Sequence, residues 1–388
     1  MSRARLGAAA RTLALVVVAG AAPAAAAPPA SAPGPLRVII LGDTRPKVHF
    51  EHAADARIAP AIFAAVAAER PVLAFHTGDY VERGSDPKRW ERFAAALAPI
   101  TAAGVRFYPV AGNHEYLDRL YQRSRNALGG YLRAFAFPAR DARGHALPAP
   151  RPDARPPTGP RWYSVLERGA LFIVLDTNAA DDDGSFAKDV TPLADWDAQA
   201  AFLRHHLAWA DRDPRVRHVL VLMHHPMYTR NSRHPSPRAL WDFPLGSPEE
   251  RRARSLKRSL DASRKLRAVL SGHNHNYERY VCERDGGGPV LYAVIGGGGA
   301  PATPLTHPPT GPRFGPLGAL PNACVAVRDG YRQPHGIADA APVYGFVRLE
   351  IDDAEVRYEM VPVGVKHPKP DRVRLTAPRG PDARVAAY

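Results

Sequence analysis

The chain has 388 residues, 45% of them hydrophobic and 23% charged, with 31 glycines, 40 prolines and two cysteines. That composition excludes a collagen-like repeat, low-complexity disorder and a disulfide-dense scaffold, and the length suits one large α/β domain or two to three smaller ones. A formal charge of +14 draws anions in general and selects no partner.

At the N-terminus, Arg3, Arg5 and Arg11 precede the apolar run Leu13 to Ala22, and the small residues Ala24 to Ala27 follow. Charged, apolar, then small is the order of a secretory leader, and so short an apolar run cannot span a bilayer. Residues 1–26 are therefore expected to be a signal peptide. The mature chain, near +11 once those three arginines are removed, is expected to be secreted or periplasmic, without stable membrane insertion.

Apolar, β-branched runs predict strands at Leu36 to Leu41, Val72 to Phe75, Val105 to Val110, Trp162 to Val165, Leu171 to Leu175, Val216 to Met223, Leu266 to Leu270 and Val290 to Ile295. Helical periodicity covers Ala54 to Glu69, Pro87 to Ala103, Asp197 to Ala210 and Pro248 to Arg264. The alternation predicts an α/β fold with helices covering sheet faces. Val343 to Ile351 and Glu355 to Val361 form a predicted hairpin about Asp352-Asp353-Ala354. The proline-rich stretches Ala139 to Pro160 and Ala300 to Pro342 break the rhythm and are read as long surface loops. The expected organisation is a domain over 36–362 with loop insertions at 139–160 and 300–342, then a C-terminal tail over 363–388. Cys282 and Cys324 would close a loop of about 42 residues worth at most ~4 kcal/mol if they pair, or would remain two buried thiols.

The chemistry sits where strands stop. Five apolar runs end in residues that bind metal: Gly42-Asp43, Gly78-Asp79, Gly112-Asn113-His114-Glu115, His224-His225 and Gly272-His273-Asn274-His275. The carboxyl ends of parallel strands open into one crevice, so these tips are expected to converge. Singly, each has a plain explanation as a helix cap, a turn or an interior histidine; five in order do not. No Gly-x-Ser-x-Gly nucleophile turn occurs, which sets serine-hydrolase chemistry aside.

This ordered set resembles the calcineurin-like metallophosphoesterases, and the text around His224 and His275 resembles their purple acid phosphatase branch. The resemblance covers about residues 36 to 300 and the closing hairpin, and it implies a four-layer α-β-β-α sandwich of two mixed sheets with the motifs at one edge. It further implies that Asp79 bridges two metal ions, that Asn113, His224 and His273 complete one of them, and that Asp43 and His275 bind the other. Two ions roughly 3.5–4 Å apart acidify a shared water, aim it in line at phosphorus and neutralise the phosphoryl oxygens. His114 is expected to serve the leaving-group oxygen, with His225 and Tyr228 within reach of substrate. Carboxylate, amide and imidazole donors without thiolate suit Fe, Mn or Zn better than Cu(I) or Ca.

Two departures stand out. Arg45 lies where the general family often has a histidine, and Glu82 lies where the purple branch has a tyrosine, so the first metal site is short of a ligand that Glu82, His49, His52 or water would replace. Arg45 itself could grip a phosphate oxygen through its guanidinium fork. The expected activity is hydrolysis of phosphate esters, with monoesters favoured. The alternatives are a phosphodiesterase or nucleotidase on the same site, or a non-catalytic protein holding phosphate or one metal. A nucleic-acid partner is left open by the basic charge, but the basic residues lie in proline-rich loops without interleaved aromatics.

Overall fold

The aliphatic runs carry no polar face because, in the fold they form, both faces of each strand are covered. A computed structural model describes residues 34–46, 55–180, 193–229, 248–282, 288–302, 324–329, 344–364, 371–376 and 385–387. The expected leader, His49, His52 and most of 300–342 lie outside the described residues. In chain order the elements are β1 (Leu36–Leu41), α1 (Asp55–Ala68), β2 (Leu73–His76), α2 (Pro87–Ala102), β3 (Arg106–Pro109), α3 (Gly129–Ala134), β4 (Tyr163–Glu167), β5 (Ala170–Val174), α4 (Leu193–Arg212), β6 (His218–Leu222), α5 (Pro248–Ala262), β7 (Leu266–Ser271), β8 (Tyr277–Cys282), β9 (Val290–Ile295), β10 (Cys324–Asp329), β11 (Gly345–Ile351), β12 (Glu355–Pro362), β13 (Asp371–Thr376) and β14 (Val385–Ala387).

They build two seven-stranded sheets, ordered β14-β13-β12-β11-β1-β2-β3 and β10-β8-β9-β7-β6-β5-β4. Both are mixed: β1, β2 and β3 run parallel in the first, β5, β6, β7 and β9 in the second, and the remaining pairs are antiparallel. Successive side chains on a strand point to opposite faces, and that period assigns the layers. Val38 and Ile40 of β1 join Leu220 and Leu222 of β6 in the core between the sheets, where Phe75 stacks on Phe172 with ring centroids 4.8 Å apart. Ile39 and Leu41 face Phe63 and Val66 of α1 and Phe93 and Leu97 of α2. Val219 and Val221 face Leu203 and Leu207 of α4 and Leu256 and Leu260 of α5. Each such fully buried side chain contributes roughly 1.5–3 kcal/mol. The result is the four-layer α-β-β-α sandwich of two mixed sheets. No helix among the described residues is long and apolar enough to cross a membrane.

Three expectations need correction. Residues 363–388 are not only a tail, since β13 and β14 extend the first sheet, with Val373 and Leu375 buried and Arg372 and Arg374 outward. The stretch 300–342 contains β10, antiparallel to β8 with Cys324 opposite Cys282; Cys282 is disulfide-bonded, and Cys324 is the only other cysteine. Tyr228 does not reach toward substrate. It is buried between the second sheet and its helices, its ring edge-on to Tyr292 with centroids 4.9 Å apart. The loop over 139–160 has no helix or strand of its own and is pinned by the isolated bridges Arg140 to Ala146 and Arg151 to Thr158.

Candidate metal centre

β1, β2, β3, β6 and β7 all give way at their carboxyl ends to the turns carrying Asp43, Asp79, Asn113, His224 and His273. Asp43, Asp79 and His273 take the left-handed backbone conformation, with φ of 58°, 60° and 71°. A non-glycine residue there costs of order 1–3 kcal/mol and persists only where its surroundings fix it. Main-chain bonds do so: Asp43 N–H donates to Gly78 O at 2.9 Å, and Gly272 N–H to His224 O at 3.0 Å. The motif glycines serve close approach. A Cβ on Gly272 would strike the Asp43 carboxylate, and one on Gly112 would strike the Asp79 carboxylate and backbone nitrogen.

Glu115, quoted from the sequence as part of its motif but given no role, turns out to clamp two of these turns. Its carboxylate accepts from the backbone N–H groups of Asp79 at 2.9 Å, Tyr80 at 3.0 Å and Gly112 at 2.8 Å. Burial and the neighbouring Asp79 push its pKa up to about 8 against the pull of those donors. The sequence signal was a glutamate three residues after a motif glycine, where it can cap the turn's N–H groups.

One group of donors converges. Asn113 Oδ1 lies 2.9 Å from His224 Nε2 and 3.1 Å from His273 Nδ1, and these two ring nitrogens are 3.3 Å apart. His224 Nε2 is also 3.3 Å from Asp79 Oδ1. His224 Nδ1 lies 2.8 Å from Thr77 O, which assigns its proton to Nδ1 and leaves a lone pair on Nε2. Burial holds this imidazole neutral, with a pKa of about 4. Ligands bonded at about 2.1 Å to one cation stand about 3.0–3.4 Å from each other, so this half fits a transition-metal ion. His225 joins His224 and His273 with donor atoms within 4.8 Å of one another, and its Nδ1 lies 3.0 Å from Thr177 Oγ1. His114 donates its backbone N–H to Asp79 Oδ1 at 3.1 Å; its Nδ1 meets Glu82 O at 2.7 Å, and its Nε2 is 3.8 Å from Asp79 Oδ2.

The other group is arranged differently. Arg45 does not reach outward. Its Nε donates to Asp79 Oδ2 at 3.1 Å, Nη1 to Glu82 Oε2 at 2.5 Å and Nη2 to His275 Nε2 at 3.3 Å. His275 Nδ1 meets Pro301 O at 2.7 Å, which leaves Nε2 as the acceptor. Asp43 accepts the His273 N–H on both oxygens, at 3.1 and 3.0 Å, and its Oδ1 is 3.7 Å from His275 Nε2. Burial and the charge of Asp79 raise the Asp43 pKa well above the carboxylate range. Burial would raise Asp79 too, but His114, His224 and Arg45 hold it far below that range. Glu82, one proposed substitute ligand, is thus already engaged by Arg45.

Asp43, Asp79, Asn113, His114, His224, His273 and His275, buried and drawn from five separate turns, therefore meet at one edge of the sandwich. Residues 36–277 match the calcineurin-like phosphoesterase family, and the chain belongs to it. No curated protein matches. Among solved structures, the purple acid phosphatase PPD1 from yellow lupin (Lupinus luteus) seeds shares 19% identity and a TM-score of 0.56, covering 84% of this chain and 51% of its own. This chain thus spans about half the length of the lupin protein. PhoD shares 12% identity and a TM-score of 0.52, covering 92% of this chain and 72% of its own. At such identities the likeness is one of fold.

Proposed function

We propose that the chain hydrolyses phosphate esters, monoesters ahead of diesters, outside the cytoplasmic membrane. The observation that carries this is the convergence of Asn113 Oδ1, His224 Nε2 and His273 Nδ1 within 2.9–3.3 Å beside Asp79. An Fe, Mn or Zn ion held there would supply a Lewis acid for a phosphoryl oxygen and acidify a water.

The chain's own residues do the rest. Asp79, Asn113, His224 and His273 would hold the ion, and Thr77 O keeps the His224 lone pair aimed at it. His114, with Nδ1 committed to Glu82 O, has Nε2 left to exchange a proton with the leaving-group oxygen; burial and the Arg45 charge lower its pKa, and the nearby Asp79 carboxylate only partly offsets them. His225 lies beside His273, with ring centroids 4.5 Å apart, where it would meet the substrate. The Arg-rich start, apolar run and alanine stretch of residues 1–26 support export.

The test compares rates on p-nitrophenyl phosphate and bis-p-nitrophenyl phosphate with chelator present and with Mn, Fe or Zn resupplied. Loss on chelation, recovery with metal and a faster monoester rate are expected; a faster diester rate would move the assignment to a phosphodiesterase. A second reading, a binding protein without hydrolytic activity, draws on the guanidinium lodged between Asp79, Glu82 and His275. It gains if neither ester is cleaved with any of the three metals.

A further inference from the structure

We propose that Arg45 is a built-in second cation: its guanidinium occupies the place of the first metal ion, and the chain binds one metal ion, in the half formed by Asp79, Asn113, His224 and His273. The inference rests on the phosphoesterase reading of this site and departs from its two-ion form. Three different nitrogens of the guanidinium meet three acceptors: Asp79 Oδ2, Glu82 Oε2 and His275 Nε2. Two of these, Asp79 and His275, are the groups a first ion would need, and the third, Glu82, is a carboxylate where a phenol would stand in the purple acid phosphatase pattern. The two departures thus explain each other. A buried arginine needs an added carboxylate, and the added carboxylate needs a buried cation.

An incoming ion would have to evict a guanidinium that is 8% exposed and leave it buried without its partners. Asp79 is shared in either arrangement: Oδ2 faces Arg45 while Oδ1 lies 3.3 Å from His224 Nε2. Arg45 therefore orients the bridging carboxylate toward the single ion. A guanidinium supplies fixed positive charge but accepts no lone pair. Arg45 can therefore stabilise charge on a phosphoryl oxygen and cannot generate a nucleophile.

The test is metal content. The purified chain is equilibrated with excess Mn2+, desalted and analysed for Mn per chain, alongside Arg45→His and Arg45→Lys, with the Mn2+ paramagnetic resonance spectrum recorded for each. One Mn per chain in the wild type and in Arg45→Lys, rising to two with an exchange-coupled spectrum in Arg45→His, is expected. Two ions in the wild type, or none, would overturn the proposal, as would a single ion in a folded Arg45→His. If Arg45→His does not fold, the wild-type count and spectrum decide alone. One ion bound without cleavage of either ester would uphold this inference and defeat the phosphoesterase reading, so the two fail separately.

Discussion

The two halves of the centre share Asp79 and differ in what meets their acceptors. On one side an amide oxygen and two imidazole nitrogens crowd to within 2.9–3.3 Å of each other. On the other, two carboxylates and an imidazole are bonded by one guanidinium. Buried acceptors need a positive partner; in one half the guanidinium two residues after Asp43 supplies it, while the other half has the donor set of a candidate metal site. The contrast teaches that a ligand set read from motifs gives the acceptors of a site without its cations.

The sharpest way to break the comparison is Arg45→Ala. If the guanidinium is the structural cation of its half, removing it strands Asp79 and Glu82 in a buried site, and stability should fall by roughly 3–5 kcal/mol in urea unfolding. A loss near zero would mean that water or a metal fills the gap as well. Asp79→Asn strikes both halves at once. Hydrolysis of p-nitrophenyl phosphate should drop at least about a hundredfold, near 2.7 kcal/mol, because the carboxylate charge is removed from both cations; an unchanged rate would show that Asp79 bridges nothing.

Glu115→Gln tests the frame under both halves. The carboxylate accepts three backbone N–H groups, two of them on Oε2, and a glutamine must turn its amide N–H2 toward at least one donor. A stability loss of about 1–3 kcal/mol is expected, with a lower rate as the Asp79 turn loosens. Retention of both would assign the clamp to the main-chain bonds alone.

The residues of the site were more legible in the sequence than their partners. Asp43, Asp79, Asn113, His224, His273 and His275 stood out because each follows an apolar strand, five of them directly or closely after a glycine. The α/β alternation followed from strand and helix periods, and the four-layer sandwich from the family resemblance. β8 was hidden because Glu278 and Arg279 interrupt its apolar pattern; Arg279 is buried there in a two-pronged pair with Asp371, at 2.7 and 3.0 Å. β13, which carries Asp371, alternates buried and exposed residues but has arginines outward, so it read as a tail. The direction of Arg45 was beyond reach for the same reason, since its partners lie 34, 37 and 230 residues away and only the tertiary structure brings them together.

The smallest expected effect compares the two ends of β6. His224 follows its carboxyl end and His218 opens its amino end, and burial holds both imidazoles near a pKa of about 4. His224 has its second nitrogen among metal donors. His218 donates Nε2–H to Asp352 O at 2.7 Å, and its Nδ1 has no hydrogen-bond partner among the described residues. An unfolded histidine titrates near 6.5, so between pH 6.5 and 4 the unfolded chain binds a proton that folded His218 refuses. The stability this gives is complete above 6.5 and is lost as the pH falls toward 4. Urea unfolding at pH 7 and pH 5 should differ by on the order of 1–2 kcal/mol from this group, and His218→Gln should remove that share while leaving the Mn content unchanged. His224→Gln should instead lower the Mn content, because the same depressed imidazole becomes a ligand only where Asn113 and His273 stand beside it. Equal metal loss in the two variants would mean that burial alone, not the converging donors, had marked His224 out.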